Sequence, residues 1–423
     1  VKSFKELNHN LTFLEKTTTL SIVIPAYNEE EGIADIVHRV LGVENDLAKV
    51  GISRLELLVV DDGSHDRTAQ IVSSIEGVRL IRHVTNKGYG AALKTGFLHA
   101  RGELIGFLDA DGTYPPEYFP QLCQVALNGA DLVIGSRMAG AKSKMPITRR
   151  IGNLFFANLL SLIGHQKITD SASGMRVFRR EVLERIYPLP DGLNLTPVMS
   201  VRAIHEGIKM VEEPIPYNER LGRSKLSVVR DGTIFLRSII WTALTYNPVR
   251  ILGAIGLAGM VMAAAILLGL VTHRLSGITT LNSWGVTAVF VALVAGVTAL
   301  DIFALGITFN YLVSLFYKRP IRQGLLGRPL FNPPLEHHFG WMGLFTLLAG
   351  LIVGGISLAL GVNGWAIARL WLYLLGSAML ILTGMQLIIY WIILRVLEEL
   401  SQREMLTKKD MDLSQTSEVT LTV

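Results

Sequence analysis

With one cysteine in 423 residues, Cys123 has no partner inside the chain; no internal disulfide staples the fold, and the usage fits a reducing compartment. A lone thiol of this kind reads as a small core filler. No basic run is interleaved with aromatic residues and the formal charge is only +5, which argues against nucleic acid as a partner. No G-x-G-x-x-G follows the first apolar run, so there is no dinucleotide fingerprint. The glycine-rich turn Asn86-Lys87-Gly88-Tyr89-Gly90 lacks the spacing and the Lys-Ser/Thr of a P-loop. Residues 1–19 are polar and mixed, without a signal-peptide core. Half of the chain is hydrophobic and the apolar residues are unevenly spread: 1–230 read as a soluble α/β protein, whereas 248–394 are far more apolar.

In the first half, short apolar runs alternate with helical stretches. Strands are expected at 20–26, 55–60, 78–82, 104–108 and 131–134, with a helix over 88–100 between the third and fourth. That alternation implies a mostly parallel sheet with right-handed crossovers. Polar residues gather where the runs stop: Asn28, then Asp61 and Asp62, then Asp109 and Asp111, then Arg137. In a parallel sheet these ends share one edge, the edge at which open α/β sheets bind ligands. The run Leu104-Ile105-Gly106-Phe107-Leu108 leads straight into Asp109-Ala110-Asp111-Gly112, with Pro115 and Pro116 just beyond. Two hard oxygen ligands at a strand end can hold Mg²⁺ or Mn²⁺ and, through it, a diphosphate. Asp61 or Asp62 could accept hydrogen bonds from a base or ribose. Lys87 and the amides around Gly88 could face an anion at a helix start. Asp66 is placed to cap a helix beginning near Arg67.

The second half carries four apolar stretches, at about 251–272, 286–309, 341–360 and 366–394. The first, of about 22 residues, would span roughly 33 Å as a helix. Lys318, Arg319, Arg322 and Arg328 lie between the second and third, and Arg395, Arg403, Lys408 and Lys409 follow the fourth. By the positive-inside rule, the first half, that middle loop and the tail are cytoplasmic. Trp284, Trp341 and Trp365 stand near span ends, as interfacial anchors do. Asp301 interrupts the second span, either as a contact in a lipid or sugar pathway or as a polar lock between helices. Gly350-Leu351-Ile352-Val353-Gly354 could bring two helices close. Basic residues followed by apolar ones at 149–163 and 228–246 suit helices lying along a membrane surface. The tail from Ser401 is polar and expected to be mobile.

The motifs Ile24-Pro25-Ala26-Tyr27-Asn28-Glu29, Val60-Asp61-Asp62-Gly63-Ser64-His65-Asp66-Arg67-Thr68 and Asp109-Ala110-Asp111 resemble those of the family 2 glycosyltransferases with the GT-A fold. Gly135-Ser136-Arg137, Thr169-Asp170-Ser171-Ala172-Ser173-Gly174-Met175-Arg176 and Arg220-Leu221-Gly222-Arg223-Ser224-Lys225-Leu226 resemble the polyprenyl-phosphate transferases within it, dolichyl-phosphate mannose synthases and bacterial relatives among them. The resemblance implies an α/β, Rossmann-like GT-A catalytic domain over 20–226, after an N-terminal lead at 1–19. An interfacial helix at 227–247, an all-α transmembrane domain of four helices at 248–394 and a cytoplasmic tail at 395–423 complete the chain.

It further implies an inverting, metal-dependent transfer from a nucleotide-diphosphate sugar to a polyprenyl phosphate, at a membrane, with a homo-oligomer also open. Pro25, Tyr27, Asn28, Glu29, Asp61, Asp62, Lys87, Gly88, Asp109, Ala110 and Asp111 would bind the donor, and Asp109 and Asp111 the Mg²⁺ or Mn²⁺. Arg137, Arg150, Arg220, Ser224 and Lys225 would bind the acceptor phosphate, with Arg149 able to replace Arg150; Asp109, Asp111, Arg137 and Arg220 would carry the catalysis. Dolichyl-phosphate mannose synthases typically have leucine and glutamine after the Asp-x-Asp, the glutamine helping to bind the metal; here Gly112 and Thr113 stand there. Two other readings share the fold: a processive polysaccharide synthase, whose usual Gln-x-x-Arg-Trp is not found, and a membrane scaffold that no longer turns over.

Overall fold

The structure, a computed structural model, describes residues 18–139, 145–164, 166–219, 227–277, 282–317, 335–365 and 367–416. It divides into two compact units, Val1–Ala243 and Leu244–Val423.

The first unit is built on a seven-stranded sheet: β1 Thr18–Ala26, β2 Ile52–Asp61, β3 Val78–Arg82, β4 Leu104–Phe107, β5 Leu132–Ser136, β6 Arg176–Arg179 and β7 Met210–Pro214. The spatial order is β3-β2-β1-β4-β6-β5-β7. Every pairing is parallel except those of β6, which runs antiparallel to β4 and to β5. The helices are α1 Ile33–Gly42, α2 Glu44–Lys49, α3 Thr68–Ser73, α4 Tyr89–His99, α5 Phe119–Leu127, α6 Ile147–Gly164, α7 Val182–Ile186, α8 Leu195–His205 and α9 Val228–Tyr246.

Successive side chains of β1 alternate between two cores, as strand geometry requires. Leu20, Ile22 and Ile24 pack with Ile36, Val40, Phe119 and Cys123 on one face. Val23 packs with Leu58, Phe97, Phe107 and Phe178 on the other. Both faces of the central strands are therefore covered, which leaves the strand ends as the place for polar groups. The five expected strands are present; β6 and β7 were not anticipated. Both are short and charged, β6 with arginine at each end and β7 with two glutamates, so neither shows an apolar run.

Four helices of the second unit, α10 Pro248–Leu275, α11 Ser283–Tyr317, α12 Phe339–Val362 and α13 Ile367–Thr416, account for its described regular structure together with a short turn at Leu335–His338. Among the described residues, four segments are long and apolar enough to cross a membrane: Pro248–His273, Ser283–Tyr317, Leu335–Val362 and Leu370–Leu400. The shortest has 26 residues, about 39 Å as a helix against a hydrocarbon core of about 30 Å. α10 packs on α11, α12 on α13, and α11 on α13. Glycine lets the second pair approach closely: a Cβ at Gly343 would meet the Gly384 carbonyl oxygen at 2.8 Å, and one at Gly350 would meet the Ile381 amide at 2.8 Å. The Gly350–Gly354 motif thus closes a seam within the chain.

Asp301 on α11 accepts a hydrogen bond from Gln386 Nε2 on α13 at 3.0 Å, an interhelical contact of the kind the polar-lock reading expects. The basic loop residues Lys318, Arg319, Arg322 and Arg328 lie outside the described residues. The tail expected from Ser401 begins as helix. Helix α13 continues to Thr416, because 401–416 contain neither glycine nor proline and include several strong helix formers.

Candidate active site

The ends of β1, β2, β4 and β5 meet around one cavity of about 370 Å³. Pro25 reaches it from the end of β1 and Tyr27 and Glu29 from just beyond, Asp62 from just past β2, Asp109, Ala110 and Asp111 from past β4, and Arg137 from past β5. Gly88 and Tyr89 line it from the start of α4, and Arg149, Asn153 and Phe156 from α6. On α6 the spacing of Arg149, Gly152, Asn153 and Phe156 is i, i+3, i+4 and i+7, one helical face.

Each carboxylate of the Asp-x-Asp is oriented by a hydroxyl. Asp111 is 8% exposed, and its Oδ1 accepts from the Thr113 amide at 3.1 Å and the Thr113 hydroxyl at 2.5 Å. Asp109 Oδ1 accepts from the Tyr89 hydroxyl at 2.7 Å. Burial, then the Asp109 charge, holds that phenol well above its ordinary range, so it remains a donor. Gly174 faces the same carboxylate with no side chain; a Cβ there would collide with the Asp109 oxygens. The Gly174 amide donates to the Tyr114 hydroxyl at 2.7 Å.

Arg137 lies over the rings of Tyr114 and Tyr217, its Cζ 5.7 and 5.5 Å from their centroids. Its Nε and Nη2 donate to the two oxygens of Asp170 at 2.7 Å each, and its amide donates to Oδ2 at 2.9 Å. Asp170 is fully buried. Burial opposes its charge, yet the attraction and hydrogen bonds of Arg137 outweigh it and hold the carboxyl below its ordinary value. The turn carrying both Asp170 and Gly174 is tied down by Arg176, wholly buried, which donates to the Ser171 and Ser173 carbonyls at 2.8 and 3.2 Å and to the Ser200 hydroxyl at 3.0 Å. Burial pulls this guanidinium down to about 10, so it is still protonated at neutral pH.

The profile described as glycosyl transferase family 2 matches residues 21–187. A dolichyl-phosphate hexose transferase of Haloferax volcanii is 33% identical over 221 residues, 52% of this chain and 92% of that protein. The chain belongs to glycosyl transferase family 2. A dolichol-phosphate mannosyltransferase of Pyrococcus furiosus is 34% identical over 224 residues, 51% of this chain and 60% of that protein. Residues 248–408 match a domain of unknown function (DUF8752). Among solved structures, glucosyl-3-phosphoglycerate synthase of Mycobacterium tuberculosis, with Mn²⁺, UDP and phosphoglyceric acid, aligns with a TM-score of 0.44 at 20% identity, covering 54% of this chain and 78% of that one. At that score the likeness adds nothing to the topology read from this chain.

Several residues expected in this family 2 site make hydrogen bonds within the chain. Asp61 is buried and outside the cavity lining; its oxygens accept from the Ser64 amide at 3.1 Å and Arg82 Nε at 3.3 Å. Asp62 lines the cavity, but its carboxylate accepts from the Lys87 and Gly88 amides at 2.9 and 2.8 Å and pairs with His83 Nδ1 at 2.6 Å. Lys87 is exposed and outside the lining. Asn28, with φ of +51°, joins the β1 and β2 ends: its amide donates to Ser64 Oγ at 2.9 Å and its Oδ1 accepts from the His65 amide at 2.8 Å.

Arg150 is exposed and off the lining; Arg149 takes the cavity face, because one residue turns a helix by about 100°. Arg149 Nη1 also donates to the Tyr217 hydroxyl at 3.4 Å. Arg220, Ser224 and Lys225 lie outside the described residues. Tyr89, Tyr114 and Tyr217 were not anticipated, nor were Asp170 and Gly174 as site residues. The motif holding the last two was visible, but their contacts are tertiary.

Proposed function

We propose that this chain is an inverting glycosyltransferase that moves a sugar from a nucleotide-diphosphate sugar to a polyprenyl phosphate at a membrane. The observation that carries the reading is a single cavity lined by a carboxylate pair, Asp109 and Asp111, and by two guanidinium groups, Arg137 and Arg149. The acids suit a divalent cation and the diphosphate it holds; the arginines suit a phosphate acceptor. The names of the Haloferax and Pyrococcus relatives, each a transferase named for a dolichol phosphate, support the same acceptor class.

Among the described residues, no group of three or more His, Cys, Asp or Glu could hold a metal by itself. Two carboxylates completed by phosphate oxygens and water are nevertheless a usual protein share of a Mg²⁺ or Mn²⁺ site. The hard, oriented oxygens of Asp109 and Asp111 fit such an ion. When bound, it would stabilise charge on the departing diphosphate. Thr113, where the mannose synthases carry glutamine, spends its hydroxyl on orienting Asp111.

In the transfer, an oxygen of the acceptor phosphate attacks the anomeric carbon opposite the diphosphate. The bond from that carbon to the diphosphate oxygen breaks, the electron pair leaves with the nucleoside diphosphate, and the centre inverts. A phosphate monoester has a second pKa near ~6, so the nucleophile is mostly dianionic at neutral pH and needs no general base. The task of the protein is to bring two anions together. Arg137 is fixed for this by Asp170 and the two tyrosine rings, and Arg149 by its place on α6.

Four membrane-length helices support a site anchored at lipid. Ile147, Ile151, Leu154 and Phe155 stay exposed on α6, which supports a helix resting on a bilayer. The basic residues at 318–328 and beyond 395 support a cytoplasmic catalytic unit with a cytoplasmic tail. On this reading the catalytic unit ends near 226, an interfacial helix follows to 247, and 248–394 span the membrane.

The test is a panel of radiolabelled nucleotide sugars incubated with the full chain, Mn²⁺ and a polyprenyl phosphate. The expected product is mild-acid-labile label in the organic phase. Polymer formed from donor alone, or no consumption of any donor, overturns the proposal. Within the same assay, Arg149→Ala is expected to raise the acceptor KM about 10- to 100-fold, the worth of a charged hydrogen bond, while Arg150→Ala leaves it within about twofold. Equal effects of the two substitutions would remove Arg149 from the site.

A further inference from the structure

Asp109 is held on two sides. The Tyr89 hydroxyl donates to its Oδ1 at 2.7 Å, and Gly174 lies against the carboxylate with no room for a Cβ. Tyr89 is the first residue of α4 and follows directly on the turn whose Asn86 and Gly88 line the cavity. That turn is itself fastened, since the Lys87 and Gly88 amides donate to the Asp62 carboxylate at 2.9 and 2.8 Å. Asp62 in turn pairs with His83 Nδ1 at 2.6 Å, and His83 Nε2 lies 2.9 Å from Thr95 Oγ1 further along α4. Hydrogen bonds thus tie the turn to the end of β2 and Tyr89 to the end of β4, and the backbone from Gly88 to Tyr89 joins the two sets. The phenol is a suitable strut: its ring packs on the core that holds Leu93, Phe97 and Phe107, so its hydroxyl has little freedom to leave Asp109.

We propose that Tyr89 is a positioning residue for the cation site: by fixing the rotation of Asp109 and tying it to the Asn86–Gly88 turn, it sets the affinity for the divalent ion. This rests on the reading of Asp109 and Asp111 as the cation's ligands. Groups that hydrogen-bond a metal ligand from outside typically contribute about 10- to 100-fold in metal affinity. Tyr89→Phe is the appropriate probe, since it keeps the ring and its core contacts and deletes one bond.

The experiment titrates Mn²⁺ alone into the full chain in detergent and follows the free ion by electron paramagnetic resonance, alongside thermal unfolding and acceptor kinetics. Tyr89→Phe is expected to bind Mn²⁺ at least about tenfold more weakly, with the melting temperature and the acceptor KM unchanged. A loss of packing alone would lower the melting temperature and leave the Mn²⁺ affinity of the folded fraction intact, which overturns the proposal. So does an affinity within about twofold of the parent chain. If the parent chain itself takes up no Mn²⁺, the carboxylate-pair reading falls and Tyr89 with it. If the parent binds and the variant binds equally, only the role of Tyr89 is lost.

Discussion

Asp111→Asn is expected to reduce sugar transfer by about a thousandfold while leaving the fold in place. Asn keeps the shape of the side chain, and its carbonyl oxygen can still accept from the Thr113 amide and hydroxyl, the two bonds that orient Asp111. What is lost is one negative charge on a residue only 8% exposed, where little solvent screens it. A divalent ion contributes several kcal/mol to stabilising charge in such a transfer, and each ~1.4 kcal/mol is a factor of ten in rate. The measurement is transfer to polyprenyl phosphate together with Mn²⁺ uptake, and both should fall. Near-normal turnover would refute the assignment of Asp111 to the ion. Lost turnover with normal Mn²⁺ uptake would move Asp111 from the ion to the sugar or nucleotide.

The part of this site that could be read from sequence is the part built by single strand ends. An apolar run that stops at Asp109-Ala110-Asp111, and another that stops at Gly135-Ser136-Arg137, declare both the strand and the polar group at its end. A parallel sheet then brings those ends to one edge without further information. The contacts that decide what each group does are long-range and left no local trace. Asp170 is 33 residues from the arginine it holds, and Gln386 is 85 residues from Asp301. Asp61-Asp62 shows the limit from the other side. Its residue types and position suggest a ligand contact, and sequence gives no sign that the backbone amides of 64, 87 and 88 and the side chains of Arg82 and His83 also reach those carboxylates. The choice between Arg149 and Arg150 needed the phase of α6, fixed by burial of Asn153, Ala157 and Leu160. β6 has no apolar run to declare it, since it begins with the buried Arg176 and ends with Arg179.

Asp170→Asn is expected to cost the fold more than any substitution on the cavity surface. Asp170 is wholly buried and takes the Arg137 Nε, Nη2 and amide. Removing one charge of a buried pair leaves the other uncompensated, at about 3–5 kcal/mol. In a unit of this size 1 kcal/mol moves the melting temperature by about 2–4 °C, so a fall of roughly 6 °C or more is expected at neutral pH. The pH dependence gives an independent check. The Asp170 carboxyl is held below its ordinary value, because Arg137 outweighs the effect of burial. A carboxylate with a depressed folded value contributes stability that is fully present above its unfolded pKa, about 3.9, and is lost as pH falls through the lower folded value. The gap in melting temperature between the parent and Asp170→Asn should therefore be constant from pH 7 to about pH 5 and narrow below about pH 4. Asp66 and Glu117, also held low by their hydrogen-bond partners, are unaltered in the variant and cancel in that difference. A gap that stays constant down to pH 3 would mean that Asp170 contributes shape rather than charge, and Arg137 would then have to be stabilised by the two tyrosine rings alone.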